Sequence, residues 1–116
     1  MPETSSARRL TLAIDRKGTV PVVQCSGRLV AGETDRFYSE VKQLVPEYKR
    51  VVLDFADLTH MDSMGLGTLV RLYVHAKSSG SVLDLVNVGK SVRQLLGITH
   101  MMAVFQVIGE NNIRMG

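Results

Sequence analysis

The most informative stretch of the chain is Asp62-Ser63-Met64-Gly65-Leu66-Gly67, together with the apolar run Val51-Val52-Leu53-Asp54-Phe55 that precedes it. A run that is apolar on both faces predicts a central strand with other layers on either side. The helical pattern that begins near Leu66 then predicts a strand followed by a helix, with Ser63 in the first turn of that helix. A hydroxyl in that place faces solvent and the positive end of the helix dipole. The sequence therefore predicts an exposed serine at the mouth of a helix.

The residues before this unit predict a β-hairpin and a loop. Residues 10–14 alternate apolar and polar side chains, a period of two that is typical of a half-buried strand. A turn at 16–19 separates them from a second apolar run, 20–26, and so short a connection favours antiparallel pairing. The segment Gly27–Gly32, with a glycine at each end, predicts a loop.

The rest of the chain alternates helices and strands. A helix is predicted over residues 33–45, because apolar side chains recur there at i, i+4, i+7 and i+8. The side chains of that stripe are Phe37, Val41, Leu44 and Val45. The later elements are predicted as a helix at 63–79, a strand at 82–88, a short helix at 91–96 and a strand at 104–108. A helical turn is expected at the C-terminus.

This order of elements predicts the α/β class. We expect a single domain with a mixed β-sheet of about five strands, in which an initial hairpin is followed by β-α-β units. The helices are expected to pack mainly on one face of the sheet. Residues 1–9 are predicted to be a flexible N-terminal tail, and residues 10–116 the domain.

The composition excludes several classes of protein. Of the 116 residues, 45% are hydrophobic and 22% are charged, as expected of a soluble globular chain. No apolar run approaches the roughly 18 residues that span a bilayer, and residues 1–9 lack the apolar core of a signal peptide. The net charge of +3 is scattered, which argues against a nucleic-acid surface. The single cysteine, Cys25, is expected to be a buried strand residue in a reducing compartment, so we expect a cytoplasmic protein.

The sequence offers little support for an enzyme, a metal site or a nucleotide site. The motif G-x-S-x-G is absent, the carboxylates are dispersed, and no base is fixed near Ser63 although His60 is three residues away. None of the histidines (His60, His75 and His100) has a second ligand at metal-binding spacing. Gly65-Leu66-Gly67 is too short for a P-loop, and packing of the helix start against neighbouring loops is favoured. We expect a non-enzymatic protein without cofactor or metal, with a small nucleotide-binding domain as a weaker alternative.

Two interpretations of Ser63 remain open. Asp62 and Ser63 are both favourable N-cap residues, so a structural role in starting the helix accounts for them. Alternatively, Ser63 is a residue that another protein modifies within a contact patch. At 100° per residue, polar side chains and the apolar Met64 share the side of the helix that faces away from the core. The outward residues are Met64, Thr68, Arg71 and His75.

At these residues the sequence resembles the STAS domain family, and within it the anti-sigma factor antagonists. The resemblance covers about residues 10–108, which is nearly the whole chain. It is carried by the segment 51–58 and by Met61-Asp62-Ser63-Met64-Gly65-Leu66-Gly67, with support from 82–88 and 92–98. The element order that periodicity predicts agrees with the fold that the resemblance implies.

The resemblance implies a switch by exchange of partners. In the family, a serine kinase that is also an anti-sigma factor phosphorylates the serine that matches Ser63. The unmodified antagonist binds this kinase and so frees the sigma factor, and a phosphatase is the partner for the reverse step. The implied partner-binding residues lie in the loop after the second strand and along the helix predicted at 63–79, with the residue before it: Arg28, Val30, Gly32, Asp62, Ser63, Met64, Thr68, Arg71 and His75.

Two positions depart from the family pattern. Val30 stands where relatives often carry an acid after Gly-x-Leu. Met64 stands where many carry a second hydroxyl residue, so Ser63 is the only hydroxyl acceptor within the motif. STAS modules also occur in transport and stress-signalling machinery. The alternative function is therefore an accessory subunit of a membrane-lipid transport or stress-signalling complex, which binds its partner without phosphorylation.

Overall fold

The computed structural model describes residues 9–98, 106–108 and 114–115 of the chain. Apart from Arg9, the predicted N-terminal tail lies outside the described residues, as do His100 and the start of the last predicted strand. The helices are α1 (Thr34–Lys42), α2 (Ser63–Ser78) and α3 (Lys90–Ile98). The strands are β1 (Thr11–Asp15), β2 (Val22–Leu29), β3 (Arg50–Met61), β4 (Val82–Val86), β5 (Gln106–Ile108) and β6 (Arg114–Met115).

The described strands form one mixed sheet in the order β1-β2-β3-β4-β5-β6. The pairs at the two ends, β1 with β2 and β5 with β6, are antiparallel, and the three pairs between them are parallel. Each parallel strand neighbours the next one in sequence, so right-handed crossovers carry α1, α2 and α3 over the same face. The predicted α/β class, the initial hairpin and the β-α-β units are confirmed. The sheet has one strand more than expected, because Arg114–Met115 forms a strand instead of a helical turn.

Burial along β3 shows which face the helices cover. Val51, Leu53 and Phe55 are fully buried, whereas Val52 and Asp54, on the opposite face, are only half-buried. The strand is central in the sheet and the helices pack on one face of it, both as predicted, whereas the expectation of other layers on either side of the strand is wrong. The hydrophobic core lies between the sheet and the helices, and the stripe Phe37, Val41, Leu44 and Val45 is buried in it as predicted.

Strands β2 and β3 are longer than their sequence patterns suggest. The predicted loop begins at Gly27, and the apolar run of β3 ends at Phe55, yet the parallel ladder pairs Gly27 with Leu58 and Leu29 with Met61. Two shifts of register let the ladder continue past the apolar runs. Gly27, at φ +96°, lies against the Arg9 carbonyl oxygen, which leaves no room for a side chain. Pairing with a neighbouring strand therefore extends both strands to the edge where α2 begins.

Candidate functional site

Asp62 joins β3 to α2 and organises the start of the helix. Its backbone is extended, and its Oδ1 accepts a hydrogen bond of 2.9 Å from the backbone N–H of Gly65. Its Oδ2 accepts a second one, of 3.0 Å, from the backbone N–H of Ala31 in the loop after β2. Partial burial disfavours the charged carboxylate, but the N–H donors of Gly65, Ala31 and Met64 outweigh it and lower the pKa of Asp62. Asp62 is therefore an ionised cap that also ties down a distant loop.

Ser63 is the first residue of α2 and is exposed. Within the described residues its hydroxyl makes no hydrogen bond, since Asp62 alone supplies the cap. The structure thus separates two roles that the sequence left combined. Asp62 starts the helix, and the Ser63 hydroxyl is presented to solvent at the positive end of the helix dipole.

The two glycines of the motif have different surroundings. A Cβ on Gly65 would strike the carbonyl oxygen of Leu29, at the end of β2, so this position admits only hydrogen. The N–H of Asp62 donates to the same Leu29 oxygen at 3.4 Å, so strand and helix start are in direct contact. A Cβ on Gly67 would meet nothing within 4 Å. Close packing therefore explains Gly65 and does not explain Gly67.

The buried face of α2 includes one residue of the predicted outward side. Leu66, Leu69, Leu72 and Ala76 are buried, but so is Thr68, at 4% exposure, whereas Val70 and Tyr73 are only half-buried. The Thr68 hydroxyl donates to the Met64 carbonyl oxygen at 2.9 Å. The expectation that Thr68 faces outward is therefore wrong, because the core covers α2 on the side of Leu72 and Thr68.

Of the other residues predicted to face outward, Met64 and Arg71 are exposed and His75 is so only in part. Met64 is 56% exposed, Arg71 is exposed and His75 is half-buried. The Arg71 guanidinium lies 4.2 Å from the centre of the Tyr38 ring of α1. A shallow groove of about 420 Å³ runs between the two helices. Its lining residues are Tyr38, Val70, Arg71, Val74, His75 and Ser78.

The loop residues of the predicted site are only partly brought to the helix mouth. Val30 and Gly32 flank Ala31, whose N–H donates to Asp62, so this part of the loop lies at the residue that precedes Ser63. Arg28 is in β2 next to His60 of β3, and its buried Nε has no hydrogen-bond partner within the described residues. Arg71 and His75 follow Ser63 by eight and twelve helical residues, roughly 12 and 18 Å along the axis. The predicted residues therefore form an extended surface instead of one pocket.

Sequence reasoning missed two residues that the geometry adds. Ala31 contributes only a backbone N–H, which no side-chain pattern signals. Val74 is 58% exposed on the outward side of α2. Its position three residues after Arg71, a spacing that places both on one side of a helix, is the signal that could have indicated it.

The described residues offer no assembled catalytic or metal centre. No group of three or more His, Cys, Asp or Glu side chains in this part of the chain is arranged to hold a metal ion. His60 Nδ1 lies 3.1 Å from the Thr59 hydroxyl. Cys25 is buried in β2 as expected, and burial, with a smaller effect of Asp54, raises the pKa of its thiol to about 12. No helix among the described residues is long and apolar enough to cross a membrane.

The sequence is similar to that of a known family of domains. The model of the STAS domain matches residues 11–113. A STAS-domain containing protein of Pseudomonas aeruginosa (strain UCBPP-PA14) is 28% identical over 85 residues, which is 73% of this chain and 84% of that protein.

Two solved structures have the same fold. An anti-sigma factor antagonist from Mycobacterium paratuberculosis superposes with a TM-score of 0.77 at 19% identity, and covers 86% of each chain. The anti-sigma factor antagonist SpoIIAA in its unphosphorylated form has a TM-score of 0.72 at 14% identity, over 87% of this chain and 90% of that chain. At these identities the superpositions establish the fold.

Proposed function

The chain belongs to the STAS domain family, and we propose that within it the protein is an anti-sigma factor antagonist controlled by phosphorylation of Ser63. In the unmodified form it binds an anti-sigma factor that is also a serine kinase, and so regulates transcription. It is a protein-interaction module of the cytoplasm and not an enzyme. A phosphatase restores the binding form.

One observation carries this proposal: at the first position of α2 the Ser63 hydroxyl is exposed and makes no hydrogen bond to any of the described residues. A kinase can reach it without unfolding the helix. A phosphate adds a charge of about −1.5 to −2 and three acceptor oxygens, and a helix N-terminus tolerates such an anion. The fold therefore survives the modification.

The same geometry means that phosphorylation greatly changes the charge of the surface around Ser63. Asp62, whose pKa is lowered, is ionised at neutral pH and adjacent to Ser63. Phosphorylation concentrates two acidic groups where the free protein has one. A partner surface that accommodates Asp62 and a neutral hydroxyl is then repelled. Binding is lost while the structure is kept.

The direct test is phosphorylation in vitro. The full chain is incubated with purified candidate anti-sigma factor serine kinases and Mg·ATP, and its intact mass is measured. We expect one added phosphoryl group on the wild type and none on Ser63→Ala. Ser39→Ala, at an exposed serine of α1, is the matched control and should accept phosphate like the wild type. Absence of phosphate on the wild type, or equal addition to Ser63→Ala, would contradict the proposal.

A further inference from the structure

The outward side of α2 carries a regular row of exposed residues. Their spacing alternates between three and four, the spacing that keeps a row aligned with a second helix lying along the first. We call this row the α2 stripe; its members are Met64, Gly67, Arg71, Val74 and Ser78, all of them exposed.

The side chains of the α2 stripe are unusual for a solvent-facing helix. Met64 and Val74 are 56% and 58% exposed, and they are two of the three large hydrophobic residues that are exposed in the described part of the chain. The neighbouring helix α1 provides an internal comparison. Its exposed positions are the polar Asp35, Ser39 and Lys42. Of these two helices, only α2 exposes large apolar side chains.

Gly67 occupies the stripe between Met64 and Arg71. Glycine in the interior of a helix lowers stability relative to alanine, so its presence needs a reason. The backbone at this position is helical, and a Cβ would meet nothing within 4 Å, so the chain's own packing supplies no reason. A bare backbone does let the axis of a second helix approach closely, as small residues do at tight helix crossings.

Two cations lie beside the middle of the stripe. Arg71 lies 4.2 Å from the centre of the Tyr38 ring, and Lys42 lies 5.5 Å from the same centre. Stacking on the ring holds both cations at the mouth of the groove between α1 and α2. The residues that line this groove include no carboxylate. The complementary surface is therefore acidic.

We propose that the α2 stripe is the docking site for an amphipathic α-helix of the anti-sigma factor. That helix crosses α2 at Gly67, packs apolar side chains on Met64 and Val74, and places a carboxylate against Arg71. The partner's identity rests on the proposed function, whereas the shape and charge of the contact do not. A second copy of this chain is the poorer occupant, because its own α2 stripe has no carboxylate to place against Arg71.

Affinity and stability measured together test the crossing point. The probe is the purified kinase that phosphorylates Ser63, with Mg·ADP, and binding is followed by calorimetry. We expect Gly67→Ala to melt roughly 4 °C higher than the wild type, because alanine favours the helix. We also expect Gly67→Leu and Arg71→Glu each to weaken binding by about tenfold or more. Ser39→Leu, on the exposed side of α1, should bind as the wild type does.

Photocrosslinking identifies the occupant if no kinase modifies Ser63. Benzoylphenylalanine replaces Val74 or, as a control, Ser39, and the crosslinked peptides from intact cells are sequenced. An acidic, amphipathic helical peptide captured at position 74 and not at 39 supports the docking site, even where the captured protein is not a kinase. Capture of a second copy, of an extended segment, or of nothing above the control overturns it. Phosphorylation of Ser63 with unchanged binding by Gly67→Leu overturns the docking site and leaves the proposed function intact.

Discussion

The carboxylate of Asp62 accepts a hydrogen bond of 3.0 Å from the backbone N–H of Ala31, a residue that lies 31 positions earlier in the chain. The other oxygen of the same carboxylate caps α2 through Gly65. One side chain therefore fixes both the loop after β2 and the start of the helix that presents Ser63. A charge added to Ser63 acts on both at once, because it lies beside their shared acceptor.

Replacement of Asp62 should reveal its double role. Asp62→Ala removes the cap and leaves the N–H groups of Gly65 and Ala31 without their acceptor. We expect a loss of about 1–2 kcal/mol in the free energy of unfolding, measured in urea. We also expect faster hydrogen exchange at the amide of Ala31. Asp57→Asn, at an exposed position of β3, is the matched control, and an equal loss there would contradict the assignment.

The pKa of Asp62 predicts how this contribution varies with pH. Because the pKa is lower in the folded chain, the unfolded chain binds more protons in acid. The stabilisation is thus complete above the ordinary aspartate pKa of about 3.9 and is lost as the pH falls through the folded value. We expect the difference in unfolding free energy between wild type and Asp62→Asn to shrink as the pH falls below about 4. A difference that is constant from neutral pH into this range would refute the prediction.

Replacement of the two glycines of the motif by alanine should change the free energy of unfolding in opposite directions. Gly65→Ala forces a methyl group against the Leu29 carbonyl oxygen, and we expect it to destabilise by about 1–3 kcal/mol. Gly67→Ala meets open space and should stabilise by up to about 1 kcal/mol, because alanine is the better helix former. Urea unfolding of both variants measures this contrast. Shifts of the same sign would show that the contact with Leu29 is not what distinguishes them.

A permanent charge at Ser63 should uncouple binding from folding. Ser63→Asp places a carboxylate at the first position of α2, where the helix dipole favours it. We expect an unchanged far-UV circular dichroism spectrum and affinity for the anti-sigma factor reduced by about tenfold or more. Ser63→Ala should bind like the wild type. Full binding by Ser63→Asp would favour instead an accessory subunit that does not use phosphorylation.

Cys25 should be inert in the folded protein. Its thiol is buried in β2, and burial together with Asp54 raises its pKa to about 12. Because the thiolate is the reactive form, we expect negligible alkylation by iodoacetamide at about pH 8, the ordinary pKa range of a free cysteine. Alkylation should become fast once urea unfolds the chain. Rapid reaction under native conditions, followed by mass spectrometry, would show that the core opens around β2.

Local sequence patterns were enough to predict the order of the elements from β1 to β5, the initial hairpin, the buried stripe of α1 and the place of Ser63 at the start of α2. These features follow from periodicity and capping, which depend on neighbours within a few residues. Phe37 and Val41 show this most clearly, because a spacing of four places both on the face that any helix in this fold must bury.

Tertiary contacts determine how far β2 and β3 extend, which side of α2 is buried, and which backbone groups bind the carboxylate of Asp62. The strands lengthen because each supplies hydrogen-bond partners to the other. Thr68 is buried because contacts from distant elements set the rotation of the helix. Ala31 reaches Asp62 across 31 residues through a backbone N–H that every residue type except proline carries. Local patterns hold no information on such pairings, since the energy that selects them arises only when the distant segments meet.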